Sequence, residues 1–249
     1  ASATVAGHII ECGAQCSGGN FSKWNEIESI DNIGYPIVDI DNEGSFDIIK
    51  PDSTGGLINK FTVSEQILYE LGDPQNYISP DVCVDFTSFS LKETSNNTVS
   101  VSGVKGFKST DTFKVSISYF YGYKASGQLT ISGPNAIAKA KKSAEIIWKK
   151  LENLGLEYDK TSTEFLGLSS CHKSLAVTPN IVNEVVLRLG VKSFNSKSVS
   201  RFTKELAPLI TAGPPGITGF ADGRPRVKEV IAYWPTLIDK KNIKTKAIL

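Results

Sequence analysis

Glu11 is the acidic side chain in an otherwise small, apolar run, Gly7-His-Ile-Ile-Glu-Cys-Gly-Ala-Gln15, which ends on a second polar group, Gln15. A carboxylate drawn partly out of water has its pKa raised toward neutrality, which suits proton transfer. Glu11 is therefore the candidate catalytic group. The structural alternative is a Glu that caps or bridges nearby backbone amides. Two glycine turns supply the remaining chemistry. Ser17-Gly18-Gly19-Asn20 follows directly, and residues 51–56 form a loop ending Thr54-Gly55-Gly56, with Lys60 beyond it. Glycine lets the backbone approach a ligand closely, and free amides ahead of a helix attract anions. Gln15, Gly18, Gly19, Thr54, Gly55, Gly56 and Lys60 are thus the candidate binding residues. Arg224 joins them, because it flanks the turn Gly213-Pro-Pro-Gly216 and an arginine beside exposed amides can hold a carboxylate or phosphate. A plain structural turn is the equal alternative there.

His8, Cys12 and Cys16 lie four residues apart, so one helical face would carry all three. That spacing is not a zinc knuckle, and small thiols are usually buried. No metal is expected, and the residues name no cofactor. Lys105, Lys108 and Lys114 surround Thr110-Asp-Thr112, either as an anion contact or, in the favoured reading, as a solvated loop.

These groups need elements to position them. A strand at residues 46–49 runs into the Gly55-Gly56 loop, and a helix is expected from about Thr62. Thr62 and Glu65 have capping-box spacing, and Gly72 with Asp73-Pro74 would close the helix. Residues 37–40 and 46–49 flank a turn at Asn42-Glu-Gly44. Residues 82–86, 91–93, 99–104 and 113–121 alternate as strands, with a solvated tip at Asn96-Asn97. Beyond Tyr121 the pattern becomes strand (127–131), long helix opened by Gly133-Pro134-Asn135 and ended by Gly155, strand (163–168), strand (183–191), helix (199–209) and strand (228–234). That order is the split βαβ of a ferredoxin-like unit. The fold class is therefore α+β (α/β): a β-rich first part with a strand–loop–helix unit at residues 1–122, then a ferredoxin-like α+β domain at 123–249.

Composition narrows the partners. The 249 residues carry 27 basic and 26 acidic side chains, a formal charge of +1, so no electrostatic footprint for nucleic acid or an anionic membrane exists. No apolar run reaches the ~20 residues that span a bilayer. Four cysteines in so long a chain are no disulfide framework and fit a reducing, cytoplasmic setting. The absence of Met, the initiator included, predicts a fragment or processed chain.

Five stretches together resemble the acyclic terpene utilisation family, named for bacterial genes of citronellol and geraniol breakdown. They are Gly7 to Gln15 with Gly18-Gly-Asn-Phe21; Lys50-Pro with Gly55-Gly56; Thr62-Val-x-Glu-Gln-x-Leu-Tyr-Glu-x-Gly-Asp-Pro74; Gly133-Pro-Asn-Ala136; and Gly213-Pro-Pro-Gly216 with Tyr233-Trp-Pro-Thr-Leu237. Family proteins are usually longer, with a large α/β portion upstream, so the resemblance implies that this chain is the second half and that an upstream half completes its first part. It also implies metabolic company with acyl-CoA dehydrogenases, biotin-dependent carboxylases and enoyl-CoA hydratases, but it carries over no catalytic residue. Two functions follow as expectations. One is an enzyme or enzyme subunit acting on a branched acyl-CoA or related carboxylate, with Glu11 moving the proton and the glycine amides and Lys60 holding phosphate. The other is a non-catalytic assembly module, a homo-oligomer or subunit, with Tyr233 and Trp234 as interface anchors.

Overall fold

The computed structural model describes residues 1–177, 181–219, 223–244 and 246. The fold is mixed α+β, and its sheets are antiparallel. The chain forms two compact units, residues 1–114 with 237–249, and residues 115–236.

The first unit opens with helices α1 (Ser2–Glu11) and α2 (Gly13–Cys16). Strands β1 (Ile37–Ile40) and β2 (Phe46–Ile49) pair as a hairpin. Its turn is fixed by the Asp41 carboxylate, which accepts from the amides of Glu43 (2.8 Å) and Ser45 (2.9 Å), and by Gly44 at φ +86°. Helix α3 (Lys60–Leu68) follows, then the short β3 (Tyr77–Ile78), β4 (Val82–Asp85), β5 (Ser90–Ser95), β6 (Thr98–Ser102) and β7 (Lys105–Lys108). One sheet has the order β1-β2-β6-β5 and a smaller one β3-β4-β7. Asn97, at φ +56°, turns β5 into β6, as the Asn-Asn tip predicted. The core gathers Val5 and Ile9 from α1, Val63 and Ile67 from α3, and Phe46, Ile48, Val84, Val99 and Val101 from the strands.

Helix α3 starts earlier than Thr62–Glu65 spacing predicts. Asn59 is the cap. Its side-chain oxygen accepts from the amides of Phe61 (2.9 Å) and Thr62 (3.0 Å), while Thr62 Oγ1 accepts from the Asn59 amide at 3.1 Å. Thr62 is thus the reciprocal partner of the box rather than its cap. Asparagine in extended conformation caps at least as well as threonine, and it lies three residues upstream. The helix stops at Leu68, short of Gly72. Glu65 instead accepts from Ser22 Oγ at 2.7 Å.

The second unit is built on β8 (Thr112–Ser132), which crosses the division between the units as one 21-residue strand where two strands were expected. Helix α4 (Ala136–Asn153) follows and buries Ala136, Ala140, Ala144, Ile147 and Leu151, a stripe at spacings of three and four. It ends two residues before Gly155. Strands β9 (Lys160–Leu166) and β10 (Glu184–Ser193) form the next hairpin. Helix α5 (Ser196–Phe202) is capped by Asn195, whose side chain accepts from the amides of Lys197 (3.0 Å) and Ser198 (3.3 Å). The single helix expected over 199–209 is broken. α5 ends at Phe202, where the amides of Lys204 and Glu205 turn back to the carbonyls of Arg201 and Phe202, and Pro208, with no amide to donate, stands directly ahead of a short α6 (Leu209–Ala212).

The last strands are β11 (Ile217–Gly219) and β12 (Lys228–Asp239). The sheet order is β11-β8-β10-β9, with β12 also on β8. β8 and β9 are both antiparallel to β10 and so run parallel with it between them. The strand beside β8 at that end of the order is β11, directly after the turn expected at Gly213-Pro-Pro-Gly216, while residues 228–234, expected as the last strand, open β12. Phe220 and Thr245 lie outside the described residues. Leu129, Ile131, Ile147, Leu187, Leu189, Val199 and Phe202 form the centre of the second core.

Candidate functional site

The two glycine turns meet in the first unit. Leu57 donates its amide to Ser17 O at 2.9 Å, and a Cβ on Gly56 would stand 2.7 Å from that same oxygen and against Ile33 O. A Cβ on Gly55 would collide with Ser29, and Gly18, at φ +99°, packs against Ile27 and Leu57 O. The approach is so close that only glycine fits. It leaves no room between the turns. The amides are engaged as well: Gly18 donates to Gln15 O (3.0 Å), Gly19 to Ala14 O (2.7 Å) and Gly55 to Asn32 O (2.8 Å). The anion pocket expected here is therefore filled by the chain itself. Thr54 Oγ1 donates to Pro51 O at 2.8 Å, and the Thr54 carbonyl receives Lys50 Nζ at 2.5 Å. Lys60 is exposed at the start of α3, where its amide donates to Glu93 Oε1 at 2.9 Å.

Glu11 is exposed at the end of α1, so the partial burial that motivated a proton-transfer role is not observed. Its helix neighbours explain this: Val5, Ala6, His8 and Ile9 take the buried face, and position 11 falls outside it. Arg224 is exposed and belongs to the second unit, whereas the other eight candidates belong to the first.

Gln15 does join a polar network, one that sequence reading missed. Its amide donates to Gln66 Oε1 at 3.1 Å and its carbonyl accepts from Asn20 Nδ2 at 3.1 Å. Gln66 in turn donates to the His8 carbonyl at 2.7 Å. His8 Nε2 lies 3.1 Å from the carbonyls of both Gln66 and Ile67, and its ring meets Tyr77 and Phe86 edge-on. The ring nitrogen facing two carbonyls carries the proton and donates. The zinc alternative for His8, Cys12 and Cys16 thus loses that nitrogen to the helix. Among the described residues no group of three or more His, Cys, Asp or Glu is placed to hold a metal. Cys16 is fully buried, and burial pushes its thiol up to about 12. Ser17 Oγ is buried with no hydrogen-bond partner among the described residues. A polar glutamine on the apolar stripe of α3, between Val63 and Ile67, was the sequence signal for this network.

In the second unit a polar groove of about 410 Å³ is lined by Gly155, Glu157, Tyr158, Asp159, Ser193 and Asn195. Its walls are committed to structure. Tyr158 donates to Ser198 O at 3.0 Å, and burial followed by the nearby Glu205 carboxylate raises its phenol. Asp159 accepts from the Phe194 amide at 3.1 Å and lies 3.6 Å from Lys192 Nζ. That ammonium also sits 3.8 Å from the Tyr121 ring centre and 4.1 Å from that of Phe194, within cation–π range of both rings. Glu205 is buried and clamped by Lys150 (2.5 Å) and Arg201 (2.7 Å). In the Lys105–Lys114 region Lys108 Nζ lies 3.9 Å from an Asp111 carboxylate oxygen, both side chains being exposed.

Ile231, Tyr233 and Trp234 on β12 and Ile117, Tyr119 and Phe120 on β8 are exposed large side chains of the second unit. Among the described residues no helix is long and apolar enough to cross a membrane.

No curated protein and no solved structure matches the chain. A family model does match, across residues 1–249, under the description "Acyclic terpene utilisation family protein AtuA", and the chain belongs to that family, with the role in acyclic terpene utilisation that this implies.

Proposed function

We propose that the chain serves acyclic terpene utilisation as an assembly component, docking through the exposed aromatic strands of its second unit. The observation that carries this reading is the exposure of Trp234, 61%, on a strand where tryptophan would ordinarily be covered. Aromatic anchors of this kind dominate binding energy at interfaces. The strand order β11-β8-β10-β9 supports the ferredoxin-like reading of that unit, a fold that joins copies or chains through its sheet. Four free cysteines support action in the reducing cytoplasm.

The alternative, an enzyme or subunit acting on a branched acyl-CoA, draws on the family's metabolic setting. The filled turns at Gly18 and Gly55 and the exposed Glu11 do not support it. Growth on citronellol of a strain lacking its own copy separates the two. Under the assembly reading Trp234→Lys fails to restore growth while folding normally, and Glu11→Gln restores it. The reverse pattern, with a melting shift of the wild-type chain by millimolar CoA or branched acyl-CoA, would establish the enzyme reading instead.

A further inference from the structure

We infer that the surface formed by β8 and β12 of the second unit meets the same surface on a second copy of this chain, as an isologous dimer. This rests on the assembly reading above and names its partner.

Ahead of Tyr123, β8 has left the register of β10, whose last pair is Ser193 with Tyr123. Here β12 is its neighbour: Ser116 Oγ lies 3.5 Å from Tyr233 Oη. A two-stranded ribbon is marginal in water without a covered face. This one is exposed on both. Large side chains at odd and even positions, from Tyr119 at 38% to Ile231 at 62%, stand in solvent. Rings continue from it into the unit, with Tyr119 against Tyr121 at 5.7 Å and Tyr121 against Phe194 at 5.7 Å.

Area and charge select the occupant. Alternation places Ile117, Tyr119 and Trp234 on the face opposite the Ser116–Tyr233 contact, and at 150–250 Å² per aromatic side chain their exposed parts sum to roughly 300 Å². The half-buried Val115, Tyr121, Val230 and Ala232 extend that same face, which suits a small, concentration-dependent interface below the standard of about 800 Å² from each partner. Residues 115–123 and 230–238 hold no charged side chain. A partner recognised by charge would find nothing to read. Two copies about a twofold axis bring like surface against like surface without repulsion, and uncharged, aromatic-rich centres mark such interfaces.

Analytical ultracentrifugation of the full chain over a wide concentration range tests this. The expected result is a monomer–dimer equilibrium that ends at the dimer. Trp234→Lys and Ile117→Lys each weaken it at least about tenfold, the loss expected when a central anchor goes. Trp24→Lys, which changes an exposed tryptophan of the first unit, leaves it unaltered. Near-ultraviolet circular dichroism confirms that each variant is folded. A chain that stays monomeric throughout, a dimer indifferent to both ribbon variants, or open-ended growth past the dimer overturns the inference. A monomer whose Trp234→Lys variant still fails to support growth on citronellol overturns the second copy but leaves assembly standing, with another chain as partner. Normal growth of that variant removes the assembly reading itself.

Discussion

Gly56→Ala isolates the crossing of the two glycine turns. The new methyl carbon would lie 2.7 Å from Ser17 O and still nearer Ile33 O. Both are backbone atoms of buried or partly buried segments, so no flexible side chain can swing away. Ser17 O is already held by the Leu57 amide, and Gly55 beside it by Asn32 O. Relief requires moving one turn and stretching those bonds. Overpacking typically costs about 1–3 kcal/mol, and two simultaneous carbonyl contacts place this variant near the top of that range. At about 4 °C per kcal/mol, the melting midpoint falls by about 8–12 °C. Thermal unfolding followed by far-ultraviolet circular dichroism measures it. Gly7→Ala is the control. Gly7 lies inside α1, a Cβ there meets nothing within 4 Å, and alanine favours the helix by up to about 1 kcal/mol. If Gly56→Ala unfolds at the wild-type midpoint, the turns are not packed as described and an open pocket there regains its standing.

Two further outcomes concern the same unit. Asn59→Ala removes the acceptor for two amides of α3 and costs about 1 kcal/mol in urea unfolding, whereas Glu65→Ala, a surface change, stays within about 0.5 kcal/mol. If Glu65→Ala proved the costlier, the Thr62–Glu65 box would be restored. The Cys16 thiol is raised by burial from 9.0 to about 12. Its folded pKa lies above its unfolded one, so the native state keeps a proton that the unfolded chain releases. This contribution is fully present below pH 9 and is lost as pH rises from 9 toward about 12. Cys16→Ala flattens that alkaline loss. An unchanged pH profile between wild type and variant would refute the assignment.

Local pattern was legible where one residue type decides. Gly44 in the first hairpin and Asn97 in the second were read directly from turn chemistry, and the long helix α4 from its period, whereas the Asp41 carboxylate that fixes the first turn was not. The strands β8, β9 and β10 and the long helix between them were readable because they are long and periodic. β11 was not, because Ile217–Gly219 has three residues and follows a glycine–proline turn. The helix over 199–209 was misjudged by following its apolar spacing past Pro208. The site was harder. Glycine turns look alike whether they cradle a ligand or cross another chain segment, and only the Ser17 and Ile33 carbonyls beside Gly56 distinguish the two. Glu11 appeared enclosed because its sequence neighbours are apolar, but a helix turns one residue in three or four toward water. Gln66 and Glu205 owe their roles to partners far along the chain, such as His8 and Lys150, which spacing does not reveal.

The central claim is that the uncharged ribbon, and not the glycine crossing, is the surface through which this chain works. Hydroxyl-radical footprinting of the full chain at low and high protein concentration, read by mass spectrometry, addresses it residue by residue. Oxidation of Trp234 and Tyr119 should fall as concentration rises, while exposed Trp24 stays equally labelled. Equal labelling of Trp234 at every concentration would contradict the account.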